Sequence, residues 1–243
     1  MREYFAQSKA PFHIYGRGVE KRKIFMEYAE YCRFVFLMWV CRIGSPKPSL
    51  ARKDTTKAAE AILRGEEPDE NLYTKEFEPI ISIITWNLMP NHYHFMLASL
   101  IDGGISKYMQ KLGNAYTKYF NAKHERNGHL FQGPFQSIGI NETIYLVTLL
   151  RYINFNHAEL VERGWKNHVI KDLKKLKKFL DSYIWSAHQD HMGTRQSLLV
   201  DREVVSQLFE AEFTNKGLEG YEDFINQWLK DDFEAIKGYT LED

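Results

Sequence analysis

Apolar residues recur with two different spacings along the chain, one typical of strands and one typical of helices. Short apolar or alternating runs predict strands at 11–15, 80–89, 92–98 and, interrupted by Gly133-Pro134, at 130–140. The dipeptide Pro90-Asn91 favours a turn, so the second and third strands form a predicted hairpin. Gly16-Arg17-Gly18 breaks the pattern of the first strand.

Apolar residues spaced three and four apart predict helices in the remaining segments. The expected helices cover 24–42, 105–123, 142–155 and 160–182. Asn141 is predicted to cap the third helix, because an asparagine side chain accepts hydrogen bonds from the first backbone N–H groups. Residues 45–75 are charged and punctuated by proline and glycine, which indicates an insertion with one short helix at 56–63.

Strands and helices that alternate irregularly favour the α+β class, with a central antiparallel sheet flanked by helices. The pattern predicts one domain over 1–190, with the insertion at 45–75. Residues 191–243 are expected to form a helical, acidic C-terminal extension.

The composition is that of a soluble, globular chain, with 44% hydrophobic and 26% charged residues among 243. No apolar run reaches 18 residues, so no membrane span or membrane partner is expected. The N-terminus lacks an apolar signal core, which argues against export. Cys32 and Cys41 are nine positions apart in a predicted helix and lie on opposite faces. We therefore expect free thiols in a cytoplasmic protein.

The formal net charge is zero, but the charges are unevenly distributed. Residues 201–243 contain 12 acidic and 4 basic residues, a net charge of −8, so the rest of the chain carries +8. A basic body is suited to phosphate contacts, and an acidic tail either folds over that surface or solubilises it.

His92 and His94 lie two residues apart on a predicted strand. A strand alternates faces with a period of two, so both imidazoles point to the same side. Two neighbouring imidazoles on one sheet face favour a divalent metal site. The alternative is a coincidence of composition, because the chain has nine histidines.

Tyr152 and Asn156 lie four residues apart on a predicted helix and share one face of it. A tyrosine is a poor nucleophile at its free pKa of about 10, and it needs a cation that stabilises the phenolate or polarises the phosphate. Asn156 has an amide oxygen suited to be a third metal ligand. The alternative is that Tyr152 is a half-buried helix aromatic like most of the 14 tyrosines.

The segment 105–136 interleaves cations with aromatic residues. Its cations are Lys107, Lys111, Lys118, Lys123 and Arg126, and its aromatic residues include Tyr108, Tyr116, Tyr119 and Phe120. Cations and stacking rings together are what a single-stranded or hairpin nucleic-acid site needs. A solvated amphipathic helix is the alternative. A second basic run at 166–178 is interpreted as a solvated face, with contact to a duplex backbone as the alternative.

An ordered set of motifs over roughly 11–190 resembles one known family. The string Met89-Pro90-Asn91-His92-Tyr93-His94-Phe95 resembles the HUH signature of single-tyrosine transposases. Four further strings resemble the REP-associated subgroup: Gly16-Arg17-Gly18 followed by Ile24-Phe25, Gly128-His129-Leu130-Phe131-Gln132-Gly133, Arg151-Tyr152-Ile153-Asn154-Phe155-Asn156, and Tyr183-Ile184-Trp185-Ser186.

The resemblance implies an HUH endonuclease, ferredoxin-like domain that cuts and rejoins single-stranded DNA beside hairpins. It implies that His92, His94 and Asn156 hold Mg²⁺ or Mn²⁺, and that Tyr152 attacks a DNA phosphate to leave a 5′-phosphotyrosine and a free 3′-OH. Two histidine ligands suit Mn²⁺ somewhat better than Mg²⁺. The DNA-binding candidates are Arg17, Lys107, Lys111, Lys118, Arg126 and Arg151. A bacterial, nucleoid-associated location follows from the same resemblance.

The chain departs from the family pattern at two positions. His157 follows Asn156 where proline is usual, which leaves open whether His157 assists or replaces Asn156 as a ligand. Pro134 stands where a basic residue is common, and this departure concerns DNA affinity rather than chemistry.

Three functions are compatible with these residues. The first is a catalytic strand-transfer enzyme, and the second is a domesticated, non-catalytic hairpin-DNA-binding protein of the same fold. A histidine phosphoesterase of small nucleotides is the third, but a second histidine motif on a partner strand is missing from the sequence. If Tyr152 is not the nucleophile, Tyr116 and Tyr119 are the next candidates. The sequence leaves open whether the site lies within one chain or is shared in a homodimer.

Overall fold

A computed structural model describes residues 10–48, 50, 52–167 and 170–210. The strands are β1 (Phe12–Arg17), β2 (Gly44–Pro46), β3 (Tyr73–Lys75), β4 (Ile81–Met89), β5 (His92–Ser99) and β6 (Gln136–Gly139). The helices are α1 (Tyr28–Val40), α2 (Arg52–Arg64), α3 (Gly104–Lys123), α4 (Thr143–Phe155), α5 (Leu173–Ser182), α6 (His188–His191) and α7 (Arg202–Glu210). Short 3₁₀ segments cover Val19–Lys21, Glu70–Leu72, Asn156–Leu160 and Trp165–Asn167.

The centre of the fold is a four-stranded antiparallel sheet in the order β4-β5-β1-β6. The predicted hairpin forms β4 and β5, and its two strands are almost wholly buried because helices cover both faces. Helices α1 and α3 cover one face, and α4 with the 3₁₀ segment Asn156–Leu160 covers the other. The α+β class with a flanked antiparallel sheet is confirmed.

The predicted insertion contains α2 and the two-stranded antiparallel ribbon of β2 and β3. Helix α2 packs against α1, and Ala58, Ala59 and Ile62 join the common core. Polar residues cover the other side of α2, so the apolar spacing marks only part of the helix. The sequence therefore predicts a helix at 56–63, and the structure extends it to Arg52–Arg64.

The core continues past residue 190. Val200 pairs with Ile83 of β4 in a parallel bridge, and Leu199, Val205 and Leu208 are buried in the same core. The chain as far as Leu208 therefore packs against the sheet. Most of the predicted acidic extension, 211–243, lies outside the described residues.

Two helix boundaries predicted from the sequence were wrong. Asn141 does not cap α4, because Glu142 precedes the first helical residue and makes no side-chain cap hydrogen bond. The predicted helix over 160–182 is helical only from Leu173, where the Asp172 side chain accepts a hydrogen bond from the Lys175 backbone at 2.9 Å. The first half contains the 3₁₀ turn Trp165–Asn167 instead.

Three smaller expectations can also be compared with the structure. Strand β1 continues through the Gly16 position to Arg17, and the extended segment 130–140 becomes a strand only at β6. Cys32 and Cys41 are buried free thiols, as predicted. None of the described helices is long and apolar enough to cross a membrane.

Candidate active site

His92 and His94 lie on the face of the sheet that α4 covers. Cross-strand pairing sets them beside β1, with Tyr15 opposite His94 and Arg17 opposite His92. Between them, Tyr93 points to the other face, where its ring contacts Phe34 of α1. The strand alternation predicted from the sequence therefore holds, and both imidazoles share one buried surface.

Helix α4 and the 3₁₀ segment that follows it bring Tyr152 and Asn156 to the same surface. The ring centroids of Tyr152 and His94 are 5.3 Å apart at 88°. The amide oxygen of Asn156 lies 3.1 Å from Nε2 of His92. The rings of His92 and His94 are themselves 5.0 Å apart. The structure thus brings together all four residues that the sequence analysis named in two separate pairs.

Two polar contacts tie this segment to β4 on either side of Asn156. The Thr85 hydroxyl donates to the Asn154 amide oxygen at 2.8 Å, and the Asn87 amide lies 2.8 Å from Nδ1 of His157. All four side chains are buried, so each contact is costly to break. Together they hold the backbone on which Asn156 approaches His92.

The position of His157 bears on the question that the sequence left open. Its ring stacks on Tyr183 at 4.4 Å between centroids, and its Nδ1 atom faces Asn87. Burial holds the pKa of His157 well below 6.5, so the ring is neutral. These contacts anchor the 3₁₀ segment to β4, and they are made by the residue next to Asn156 rather than in its place.

Each of the two site histidines has a neighbour at its Nδ1 atom. The Asn91 amide oxygen lies 2.7 Å from Nδ1 of His92, and Nε2 of His13 lies 3.0 Å from Nδ1 of His94. A proton on Nδ1 leaves the lone pair on Nε2, which is the tautomer that a metal ligand needs. The Nε2 atom of His94 is buried and has no hydrogen-bond partner among the described residues.

The contacts of His92 also favour a cation. Burial lowers the pKa of His92 to about 3, so the ring is neutral and carries one N–H. Two amide oxygens, those of Asn91 and Asn156, face its two nitrogens. One N–H cannot satisfy both, and the second contact sets a lone pair against an oxygen. A cation between Nε2 and the Asn156 oxygen removes that repulsion, as does a rotated Asn156 amide that donates its NH₂.

The donor set therefore fits a divalent metal. Two Nε2 atoms and one amide oxygen are suitable for Mn²⁺, and less so for Mg²⁺, which prefers oxygen. Within the described ranges no group of three His, Cys, Asp or Glu could hold a metal. The carboxylates that most metal sites use are missing from this cluster.

Two cations lie near Tyr152. The Lys166 ammonium is 5.2 Å from the centre of the Tyr152 ring, and burial lowers the pKa of Lys166 to about 8. Burial also lowers the pKa of Arg17, while the nearby Tyr152 raises it. Positive charge beside a phenol favours its ionised form. Tyr152 itself is buried, with 1% of its surface exposed.

Two residues at this site were not found from the sequence. His13 and Tyr15 of β1 lie on the same face, with ring centroids 5.3 Å and 5.9 Å from His94. Their period-two spacing with Arg17 was a visible signal, but only the strand register shows that they reach His94. Tyr15 is partly exposed and is thus a second tyrosine beside the site.

The alternative nucleophiles Tyr116 and Tyr119 lie elsewhere. Both are on α3, across the sheet from His92, and the Tyr116 hydroxyl donates to the Ile24 carbonyl at 2.5 Å. Burial raises the pKa of Tyr116 well above 10. The structure does not bring either residue to the site.

The predicted DNA-binding cations occupy several surfaces. Lys107 and Lys111 lie over the Phe77 ring at 4.1 Å and 4.8 Å, and Lys111 also pairs with Glu76 at 3.3 Å. Lys118 is exposed, and Arg126 hydrogen-bonds Asn121 at 3.0 Å. Arg151 is buried within α4, which lowers its pKa to about 10. Of the six predicted cations, Arg17 is the one that lies close to all three site residues. Its charge helps to lower the pKa of His92 and His94, and Tyr152 raises the pKa of Arg17 itself.

Comparison with known proteins shows a family similarity in the central segment of the chain. Residues 67–156 match the sequence model of the family described as transposase IS200 like. The match includes His92, His94, Tyr152 and Asn156. Over this segment the chain is similar to IS200-like transposases. The resemblance to single-tyrosine transposases is thereby confirmed.

One solved structure and the curated proteins complete the comparison. The structure, of the REP-associated tyrosine transposase bound to a REP hairpin, is 12% identical to this chain, with a TM-score of 0.42. The similarity covers 76% of this chain and 81% of that one. No curated protein matched.

Proposed function

We propose that the protein is a metal-dependent single-stranded DNA endonuclease and strand transferase that acts beside DNA hairpins. The observation that carries the proposal is the convergence of His92, His94, Asn156 and Tyr152 on one buried surface. The IS200-like transposase match over 67–156 supports a transposase-like, DNA-binding role.

In the proposed reaction, Tyr152 is the nucleophile. Its phenol oxygen forms a bond to the phosphorus of a DNA phosphate, and the bond from phosphorus to the 3′ oxygen breaks. The phenol proton passes to solvent, and the released 3′ oxygen takes up a proton to become a 3′-OH. The DNA end stays attached as a 5′-phosphotyrosine, which keeps the bond energy for rejoining, so no ATP is needed.

The surrounding residues have separate tasks in this proposal. His92, His94 and Asn156 would hold Mg²⁺ or Mn²⁺, which supplies Lewis-acid polarisation of the attacked phosphate. Arg17 and Lys166 place positive charge next to Tyr152, which favours the phenolate. Trp165 and Lys166 also cover the Tyr152 ring, so this cover has to shift before a phosphate can reach the phenol oxygen.

The second candidate is a non-catalytic hairpin-binding protein of the same fold. The burial of Tyr152 favours it, because a tyrosine with 1% exposure is not ready to attack. Both candidates predict hairpin binding at the bacterial nucleoid, and only the first predicts a covalent adduct.

The deciding experiment incubates the protein with Mn²⁺ and labelled single-stranded hairpin oligonucleotides taken from around its own gene. Denaturing gels then report protein that stays bound to DNA. We expect an adduct with the wild type and none with Tyr152→Phe, whereas hairpin binding persists. Tyr15→Phe is the matched control, because Tyr15 lies at a similar distance from His94. An adduct that forms with Tyr152→Phe but not with Tyr15→Phe would show that Tyr15, and not Tyr152, is the nucleophile.

A mixing experiment tests whether the active site is shared between two chains. A homodimer in which α4 docks on the partner's sheet would restore an adduct when Tyr152→Phe is mixed with a His92→Ala variant. Within one chain, as the contacts of α4 with β4 and β5 suggest, mixing restores nothing.

A further inference from the structure

Helix α5 carries most of the basic run 166–178 on its exposed side. The helix buries Leu176 and Leu180 against the rest of the protein. The lysines on and just before it are exposed, and we call them the lysine face: Lys171, Lys174, Lys175, Lys177 and Lys178. The side of α5 that faces away from the core is therefore strongly positive.

The arrangement of these lysines does not stabilise the helix. Positive charge is unfavourable in the first turn of a helix and favourable in the last turn, because of the helix dipole. Lys174 and Lys175 are the second and third residues of α5, and the last turn contains no basic residue. Lys174 also lies four positions before Lys178, and like charges at this spacing repel each other. The electrostatics of the isolated helix therefore disfavour this pattern.

Carboxylates of the protein leave most of the lysine face without a counter-charge. Of the two carboxylates on the helix, Asp172 caps its N-terminus and Asp181 lies 3.2 Å from Nε2 of His188. A helix face that is only solvated usually mixes both signs of charge. Among the described residues, four of the lysines form no ion pair with a carboxylate: Lys171, Lys174, Lys175 and Lys178. This pattern is suited to a bound polyanion.

Helix α5 lies on the active-site side of the sheet. It packs against the 3₁₀ segment Asn156–Leu160, whose first residue is the proposed third metal ligand. The start of α5 is held by the Glu162 carboxylate, which accepts a hydrogen bond from the Asp172 backbone N–H at 3.3 Å. Three residues after Glu162, the Trp165 ring stacks on Tyr152 with 6.3 Å between centroids. The lysine face therefore begins beside the segment that covers Tyr152.

Positive charge also connects Tyr152 to the lysine face along the chain. The Lys166 ammonium is 5.2 Å from the centre of the Tyr152 ring, and Lys171 follows five residues later. Arg17 adds a further cation near Tyr152. A DNA strand that reaches Tyr152 can therefore continue along α5 without leaving a positive surface.

The lysine face is suited to a duplex rather than to unpaired bases. Lys174 and Lys178 are about 6 Å apart along the helix axis at about 1.5 Å per residue. Each strand of a duplex presents one phosphate about every 3.4 Å along its axis, so successive lysines match nearby phosphates. The one aromatic residue within α5, Phe179, is half-buried and contacts Tyr183. The exposed side of α5 thus offers no ring on which an unpaired base could stack.

We propose that the lysine face of α5 binds the phosphate backbone of duplex DNA adjoining the strand that enters the active site. The proposal rests on the proposed function in one respect, because it takes DNA as the partner. Contacts to phosphates carry no sequence information, so this surface positions the DNA and does not select its sequence. DNA is favoured over the acidic residues 211–243 of the same chain, because the lysine face begins beside the proposed nucleophile.

The test removes two charges from the lysine face. Lys174→Gln/Lys178→Gln keeps two good helix formers and removes a like-charge pair, so the variant is expected to unfold at or above the wild-type temperature. Lys53→Gln/Lys57→Gln on α2 is the matched control. Lys53 and Lys57 are exposed, have the same four-residue spacing, and lie on a helix that packs against α1, across the sheet from α5.

The probe is a short blunt-ended duplex without a hairpin or a single-stranded end. Fluorescence anisotropy in EDTA measures its affinity over a series of salt concentrations, without any cleavage. Each phosphate contact that is lost lowers the slope of log affinity against log salt by about 0.9. We expect the slope to decrease by about 1.8 for Lys174→Gln/Lys178→Gln, and to stay at the wild-type value for Lys53→Gln/Lys57→Gln.

Three results would overturn the proposal: an unchanged slope in the α5 variant, an equal decrease in the α2 variant, or a wild type that does not bind the duplex. If residues 211–243 cover the lysine face instead, the α5 variant keeps or gains affinity for the duplex, which also overturns it.

The proposed function is reported independently by adduct formation on single-stranded hairpins in Mn²⁺. A decreased slope in the α5 variant without any wild-type adduct would support the lysine face and reject the nuclease. A wild-type adduct together with an unchanged slope would do the reverse.

Discussion

His13 is expected to control metal affinity although it is not a ligand. Its Nε2 atom lies 3.0 Å from Nδ1 of His94, and both side chains are fully buried, so no water can replace either partner. One proton lies between the two rings. A cation on Nε2 of His94 requires that proton on Nδ1, and therefore makes His94 the donor and His13 the acceptor.

His13→Phe removes the acceptor and keeps a ring of similar size. The His94 ring then either leaves a buried N–H unpaired, at a cost of about 1–3 kcal/mol, or moves its proton to Nε2 and stops being a ligand. Changes to such supporting groups typically weaken metal binding about 10–100-fold. We expect that loss for His13→Phe, and a partial recovery for His13→Gln, whose amide oxygen can accept the hydrogen bond.

Isothermal titration of Mn²⁺ into DNA-free protein is the assay. Asn91→Ala is the comparison, because Asn91 is partly exposed and water can take its place beside His92, so its loss is expected to be smaller. Wild-type Mn²⁺ affinity in His13→Phe refutes the role of His13. A wild-type protein that binds no Mn²⁺ refutes the metal site itself.

Three further predictions concern stability. Gly113→Ala is expected to raise the free energy of unfolding by about 0.5–1 kcal/mol, and an unchanged or lower melting temperature would show that the chain itself needs the glycine. Burial holds the pKa of His191 at about 4 and that of His13 at about 3, both below 6.5. The unfolded chain therefore takes up these protons first, and urea titrations should show stability falling as the pH drops below about 6.5; a flat profile from pH 8 to 5 contradicts this. In the wild type the Arg195 guanidinium lies 2.6 Å from the Asp190 carboxylate. Asp190→Ala leaves this guanidinium without its carboxylate partner and should lower the free energy of unfolding in urea by about 3–5 kcal/mol. A loss below about 1 kcal/mol contradicts a stabilising role of the ion pair.

Much of the fold could be predicted because its signals are local. The β4–β5 hairpin follows from two apolar runs on either side of Pro90-Asn91, and α1, α3 and α4 follow from helical spacing. The boundary errors also have a local origin. Lysine and leucine are good helix formers throughout 160–182, but the Asp172 cap decides where that helix begins.

The site was predictable in halves. Strand and helix periods group His92 with His94, and Tyr152 with Asn156. Neither period says that α4 docks on the face bearing the histidines, which depends on tertiary contacts such as Thr85 with Asn154. Family resemblance supplied that link.

The residues that were missed depend on strand register. His13 lies 81 positions before His94, and only the antiparallel pairing of β1 with β5 brings them together. A register shifted by one residue would turn His13 and Tyr15 to the opposite face. Tyr116 and Tyr119 could not be excluded as nucleophiles from the sequence, because the face on which α3 docks depends on tertiary contacts such as that of Tyr116 with Phe34.

The identity of the adducted residue tests the central claim most directly. Protein incubated with Mn²⁺ and a bound hairpin oligonucleotide is digested with trypsin and nuclease, and mass spectrometry locates the residue that carries a 5′-nucleotide. The account predicts the modification on Tyr152, in the peptide that follows Arg151 and ends at Arg163. A nucleotide on Tyr15, or strand cleavage that leaves no tyrosine modified, would contradict it.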